Sequence, residues 1–235
     1  MPPSISLPRL RSHIEALSAF GRNPDGQGIT RSCWSPAHEE ARAWLIARMK
    51  DAGLTTWIDE AGNTFGRLGE GRPTVMTGSH IDTVPQGGPL DGALGVLAGL
   101  ESLQTIHAAG VRTHRPLTLV AWSDEEGRYA SLFGSKAFVG RVDPRQIPTL
   151  ASADGERLVD AMARAGFDAL EAHRARCDPR TLFAYLELHI EQGPHLEAAR
   201  IPIGVVEGIV GIRRSRVIFT GQPDQAVIVE RLLCI

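Results

Sequence analysis

Gly78-Ser79-His80-Ile81-Asp82-Thr83-Val84, with Asp91-Gly92 a short step beyond, is the stretch whose reading decides the fold. The run Thr74–Thr77 before it is apolar and β-prone, the pattern of a buried strand. The run Ala93-Leu94-Gly95-Val96-Leu97-Ala98-Gly99-Leu100 after it opens a helix to Ala109 that is apolar nearly all round, as suits a helix packed on a sheet. Two more polar clusters follow strand-like runs. Leu117–Trp122 leads into Ser123-Asp124-Glu125-Glu126-Gly127, and Leu182–Leu188 leads into His189-Ile190-Glu191-Gln192-Gly193-Pro194. Strands alternating with helices indicate an α/β architecture around a central, largely buried sheet. Ligands of such sheets sit beyond the carboxyl ends of the strands, where all three clusters fall.

Working outward, Leu10, Ile14, Leu17 and Phe20 form a helical stripe ended by Gly21. Ser35-Pro36 has the form of an N-cap followed by proline at the first helical position, and Gly53 stops that helix. Thr55–Asp59 and Asn63–Leu68 are short strands around an Ala61-Gly62 turn. Residues 156–165 and 168–175 form an Ala/Arg-rich helical region, and Ile203–Val206 and Val217–Thr220 are expected to be two further strands.

The 235 residues suffice for one sizeable domain, alone or with a fragment of another. A net charge of -2 gives no reason to expect nucleic acid or an anionic membrane as a partner. No run approaches the ~20 apolar residues of a membrane span. Cys33, Cys177 and Cys234 form neither a disulfide framework nor a CxxC pair, which favours a reducing cytoplasm over secretion.

Histidines and carboxylates gathered at strand ends are what a metal-dependent hydrolase needs. Several acidic groups in one pocket repel each other unless a cation neutralises them. His80 reads as a ligand with Asp82 as its orienting partner, against the plainer reading of a polar turn. Asp91 is either the N-cap of the apolar helix or a metal bridge, and one carboxylate can do both. Glu125 and Glu126 are a solvated acidic turn or, respectively, a general base and a ligand. His189 is a core histidine or a ligand. His13, His38, His107, His114, His173 and His195 are read as ordinary surface or packing residues.

Thr77–Pro85, Gly87–Glu101 and Glu187–Pro194 closely resemble the family of N-carbamoyl-L-amino acid hydrolases, allantoate amidohydrolases and β-ureidopropionases. The similarity runs from near the N-terminus to about Gln222, and the His-Ile-Glu-Gln-Gly-Pro segment is specific to this ureido-cleaving group. The resemblance implies a three-layer, aminopeptidase-like catalytic domain on a central mixed sheet, with an inserted lid and dimerisation domain. It implies two divalent ions (zinc, manganese, cobalt or nickel) and hydrolysis of the carbamoyl C–N bond of N-carbamoyl-L-amino acids, allantoate or β-ureidopropionate. By position, His80, Asp91 and His189 would hold one ion, Asp91 and Glu126 the other. Glu125 would be the base, with Asp82 in support, and Gln192 would touch substrate.

The resemblance divides the chain into a partial catalytic domain, 1–210, and the beginning of a lid, 211–235, divergent after 226. Gln225 stands where the family carries a histidine thought to stabilise the oxyanion. With the rest of the lid and the last metal-ligating histidine lacking, the expectation is a truncated or frame-shifted product. It would hold one ion well, turn over slowly, and lack the family's lid-mediated homodimer. The competing readings are a non-catalytic metal-binding remnant and a metallo-aminopeptidase or dipeptidase on the same scaffold.

Overall fold

The computed structural model describes residues 3–209; the expected strand Val217–Thr220, Gln225 and Cys234 lie outside them. The chain divides into two compact units, Met1–Gln192 and Gly193–Ile235. In the first, five strands order as β1-β2-β4-β3-β5: β1 (Thr55–Ile58), β2 (Thr64–Leu68), β3 (Thr74–His80), β4 (Leu117–Trp122) and β5 (Leu182–Leu186). β3 is parallel to both β4 and β5, while β1–β2 and β2–β4 are antiparallel. The expected mixed sheet is therefore present, with β3 between its two parallel neighbours.

The first helix, α1 (Leu7–Ala19), is capped by Ser6, whose hydroxyl accepts the Arg9 N–H. α2 (Pro36–Asp51) starts as the sequence implied, with Ser35 accepting the His38 N–H and Pro36 at its first position. α3 (Ala93–Ala108) crosses from β3 to β4 and buries Val96, Leu97, Leu100 and Leu103 against the sheet. Leu17 of α1, Leu45 and Met49 of α2, and Leu119 of β4 complete that core. Small residues on α3 let it lie close: a Cβ on Gly99 would meet Leu119 Cδ1 at 2.7 Å, and one on Gly95 would meet the Leu188 carbonyl oxygen at 2.3 Å. A second core gathers Trp34, Phe133, Ile147, Leu158 and Met162 around α4 (Phe133–Phe138) and α5 (Leu158–Arg164). The expected helical stretch 168–175 is a 3₁₀ segment, Ala169–Ala175.

In the second unit, α6 (His195–Ala199) is the one regular element among the described residues. Ile203–Val206, expected as a strand, is irregular, with Ile203, Val205 and Val206 at 66%, 89% and 77% exposure. An apolar run sets a propensity, but among the described residues no strand pairs its backbone and no ladder forms there. No described helix is long and apolar enough to cross a membrane.

Candidate metal centre

The site is built from the carboxyl ends of β3, β4 and β5 and the start of α3. His80 is the last residue of β3 and is almost fully buried. Its Nδ1 lies 3.0 Å from the Asp82 backbone oxygen. A carbonyl only accepts, so Nδ1 carries a proton and Nε2 is the nitrogen left for a second proton or a cation. Nε2 faces Glu125 Oε2 at 3.4 Å. His189, past the end of β5, repeats the arrangement. Nδ1 donates to the Ile190 carbonyl at 2.8 Å, and Nε2 stands 3.2 Å from Asp91 Oδ1. Asp91 Oδ1 is buried and makes no hydrogen bond. Two lone pairs facing each other at such separations repel, unless a proton or a cation lies between them.

Asp91 does not cap α3. The cap position is Gly92, at φ +62°, and no side chain bonds the helix start. The Asp91 carboxylate is thereby left to the site, its Oδ2 accepting a hydrogen bond from Gln192 Nε2 at 2.8 Å. Asp82 sits at 1% exposure, Oδ2 accepting the Glu126 N–H at 3.1 Å and Oδ1 unbonded, 3.5 Å from His80 Nδ1. It thus touches both the ring of His80 and the turn that carries the glutamates.

The electrostatics have the same cause. Burial pushes Glu125 and Glu126 upward; Asp82 and Glu187 add to it for Glu125, and Asp91, Glu125 and Asp82 for Glu126. Burial alone would lower His80, but the adjacent Asp82 carboxylate and backbone oxygen and the charge of Glu125 carry it up to about 9. Burial would raise Asp82, and the adjacent His80 imidazole holds it below the usual carboxylate range. A divalent ion within reach of Glu125 and Glu126 would offset that crowding.

Two sets of ligand atoms lie within 4.8 Å of one another, His80 with Asp91 and His189, and His80 with Glu125 and Glu126. The first is the set expected from the sequence. In the second, Glu126 groups with His80 and Glu125, and the Asp91 charge also acts on it. Imidazole nitrogens, carboxylate oxygens and the buried, unbonded Asp91 Oδ1 form a donor set that fits a divalent ion.

Two residues that sequence reasoning left unassigned hold the site in shape. Asp124, at φ +48° and fully buried, accepts the N–H groups of Arg128, Tyr129 and Ala130 at 2.8, 3.0 and 2.9 Å, closing the loop that carries both glutamates. Burial raises its carboxyl to about 6 against those bonds. The signal was an aspartate heading an acidic turn with Gly127 three residues on, the composition of a side chain closing a loop on its own backbone. Arg31 is buried and donates to the Ile81, Leu17 and Phe20 carbonyl oxygens at 2.6, 2.9 and 2.9 Å, clamping the backbone between His80 and Asp82. Nothing in its sequence neighbourhood marks it.

The profile described as Peptidase family M20/M25/M40 matches residues 76–231. The chain belongs to this family. Among its M20 relatives, the N-carbamoyl-L-amino acid amidohydrolase of Geobacillus stearothermophilus is 40% identical over 223 residues, covering 93% of this chain and 54% of the relative. The allantoate amidohydrolase of Escherichia coli (strain K12) is 42% identical over 219 residues, 89% of this chain and 52% of the relative. A solved amidase of the hydantoinase/carbamoylase family from Burkholderia phymatum superposes with a TM-score of 0.77 at 40% identity, over 84% of this chain and 48% of that one. The chain spans about half the length of the curated relatives it matches. The M20 match begins in β3 and takes in every ligand candidate named above.

Proposed function

We propose that this chain carries the metal-binding part of a hydrolase of carbamoyl C–N bonds, acting on N-carbamoyl-L-amino acids or on the related ureido compounds allantoate and β-ureidopropionate. One observation carries the reading: His80 and His189 each commit Nδ1–H to a backbone carbonyl and turn Nε2 toward a carboxylate. The names of the relatives favour ureido compounds over peptides as substrates.

His80, Asp91 and His189 would hold one divalent ion, zinc or manganese by donor type, with an open position left for water or substrate. Glu126 would contribute to a second, weaker site. The bound ion supplies Lewis acidity to the ureido carbonyl and acidity to the attacking water. Glu125, raised by burial, is suited to take the proton of that water and return it to the departing nitrogen. Asp82 keeps His80 in the ligating tautomer and steadies the glutamate turn through the Glu126 N–H. Gln192 holds Asp91 Oδ2 and can exchange that bond for one to substrate.

The test loads the protein with zinc or manganese and follows ammonia release from N-carbamoyl-L-amino acids, allantoate and β-ureidopropionate, with dipeptides for comparison. Ureido hydrolysis, however slow, should vanish in Glu125→Gln with the metal retained, and His80→Ala should release the metal itself. A loaded protein that leaves all three ureido substrates intact, or cleaves dipeptides faster, would overturn the reading.

A further inference from the structure

The two imidazoles of the candidate site stand on different strands, and their ring centroids are 6.2 Å apart at 30°. One side chain ties the two supporting segments together. Glu187, just past the end of β5 and two residues before His189, accepts a hydrogen bond at Oε1 from the hydroxyl of Ser79, the residue before His80. Its Oε2 accepts from the Tyr185 hydroxyl at 2.7 Å. That hydroxyl shares its proton with the Gly78 carbonyl oxygen at 3.0 Å and itself accepts the Trp122 indole N–H at 2.9 Å. A chain of hydrogen bonds thus runs from β4 through β5 to Glu187 and back to β3. Its members Trp122, Ser79 and Glu187 adjoin the three ligand-bearing segments.

We propose that Glu187 is a positioning residue that sets the separation of His80 and His189 for a shared divalent ion. Three features make the carboxylate the junction. It bonds both Tyr185 and Ser79, and so joins the segment before His189 to the residue before His80. The ladder between β3 and β5 ends at Thr77 and Leu186, before either histidine, so backbone pairing does not fix their spacing. The close approach of Gly95 to the Leu188 carbonyl oxygen limits how far the segment can move toward α3, while beyond the Tyr185–Gly78 bond the Glu187 bond to Ser79 draws it toward the residue before His80. Groups that orient a metal-ligating histidine at one remove change metal affinity by about 10–100-fold when deleted.

This inference rests on the metal-site reading above. The test measures zinc and manganese affinity by calorimetry, and thermal stability without metal, for the wild type and for Glu187→Ala, Glu187→Gln and Tyr185→Phe. Glu187→Ala should weaken the tighter ion by about tenfold or more. Glu187→Gln, which keeps the shape and one accepting oxygen, should recover part of that loss, and Tyr185→Phe should fall between wild type and Glu187→Ala. A wild type that binds no divalent ion would sink the metal-site reading itself. A wild type that binds while Glu187→Ala binds equally tightly, whatever its melting temperature, would overturn the positioning role alone. A loss in Glu187→Ala with no recovery in Glu187→Gln would also overturn it, since it would point to the charge and not to the bonds.

Discussion

Replacing Gly92 with alanine tests the geometry at its tightest point. Gly92 occupies the first turn before α3 at φ +62° and ψ -48°, with the Ala93 N–H 2.6 Å from the Asp91 carbonyl oxygen. This is the rare γ-turn conformation, and holding a side chain in such a region costs about 1–3 kcal/mol. The steric term is more specific. A Cβ there would stand 2.3, 2.4 and 2.5 Å from Nε2, Cδ2 and Cε1 of His80. Ordinary contact is about 3.5 Å, so the imidazole must move by roughly 1 Å. Metal–ligand distances tolerate only about 0.2 Å. Gly92→Ala should therefore weaken binding of the tighter ion by about 100-fold or more, which is about 2.7 kcal/mol. Its melting temperature should fall by about 2–12 °C, from the backbone strain and the usual slope for a chain of this size. Calorimetric titration with zinc and with manganese, alongside scanning calorimetry of the metal-free protein, separates the two effects. Gly95→Ala, which crowds the Leu188 carbonyl instead, serves as a control for general disturbance of α3. A Gly92→Ala protein that melts lower but binds metal with wild-type affinity would refute the proposed use of His80 Nε2.

Chelation with EDTA should lower the melting temperature of metal-loaded protein by about 5–10 °C relative to protein in metal at 100 times its Kd, through the roughly 2.7 kcal/mol of linked stabilisation; equal melting with and without chelator counts against a bound ion. Asp59 is pushed up to about 6 by burial, against its bonds to Asn63 and Ala61. Its folded form thus holds a proton that the unfolded chain has already lost, so stability from this group is present below about pH 4 and declines as pH rises through 6. Denaturation curves should show that decline, by about 1–3 kcal/mol, in wild type and a flatter profile in Asp59→Asn, whatever its baseline stability; parallel profiles would contradict it. Asp124→Ala, which strands three backbone N–H groups, should cost about 2–4 kcal/mol in urea unfolding, and a loss below 1 kcal/mol would show that the loop closes without it.

The elements flanking the site were legible because their periodicity and punctuation agreed. Ser35-Pro36 and Gly53 bracket α2, and the all-apolar start of α3 and the β-prone run before His80 left few alternatives. The three clusters at strand ends were legible for the same reason, since sheets of this class place such ends on one side. What stayed hidden depends on pairing and on backbone angles. Ile203–Val206 has the composition of a strand but no partner among the described residues. Asp91 has the composition of a cap, yet the γ-turn at Gly92 turns its carboxylate away from the helix. Arg31 contributes through three carbonyl oxygens, and a guanidinium serving backbone leaves no pattern in side-chain chemistry.

The order β4-β3-β5 has a consequence for how such a site is assembled in time. Neighbouring strands stand about 4.8 Å apart, so two imidazoles and a carboxylate carried on adjacent strand ends can close on one ion with little adjustment. Each parallel neighbour of β3, however, arrives by a long crossover, β4 after some forty residues and β5 after about a hundred. Contacts of that separation form late in folding, since their loop closure comes before their reward. His80 belongs to both ligand sets because it ends the strand that waits for both neighbours. A cation held by His80, Asp91 and His189 can therefore be captured only once β5 has docked, and its binding reports the completion of the sheet rather than guiding the chain toward it.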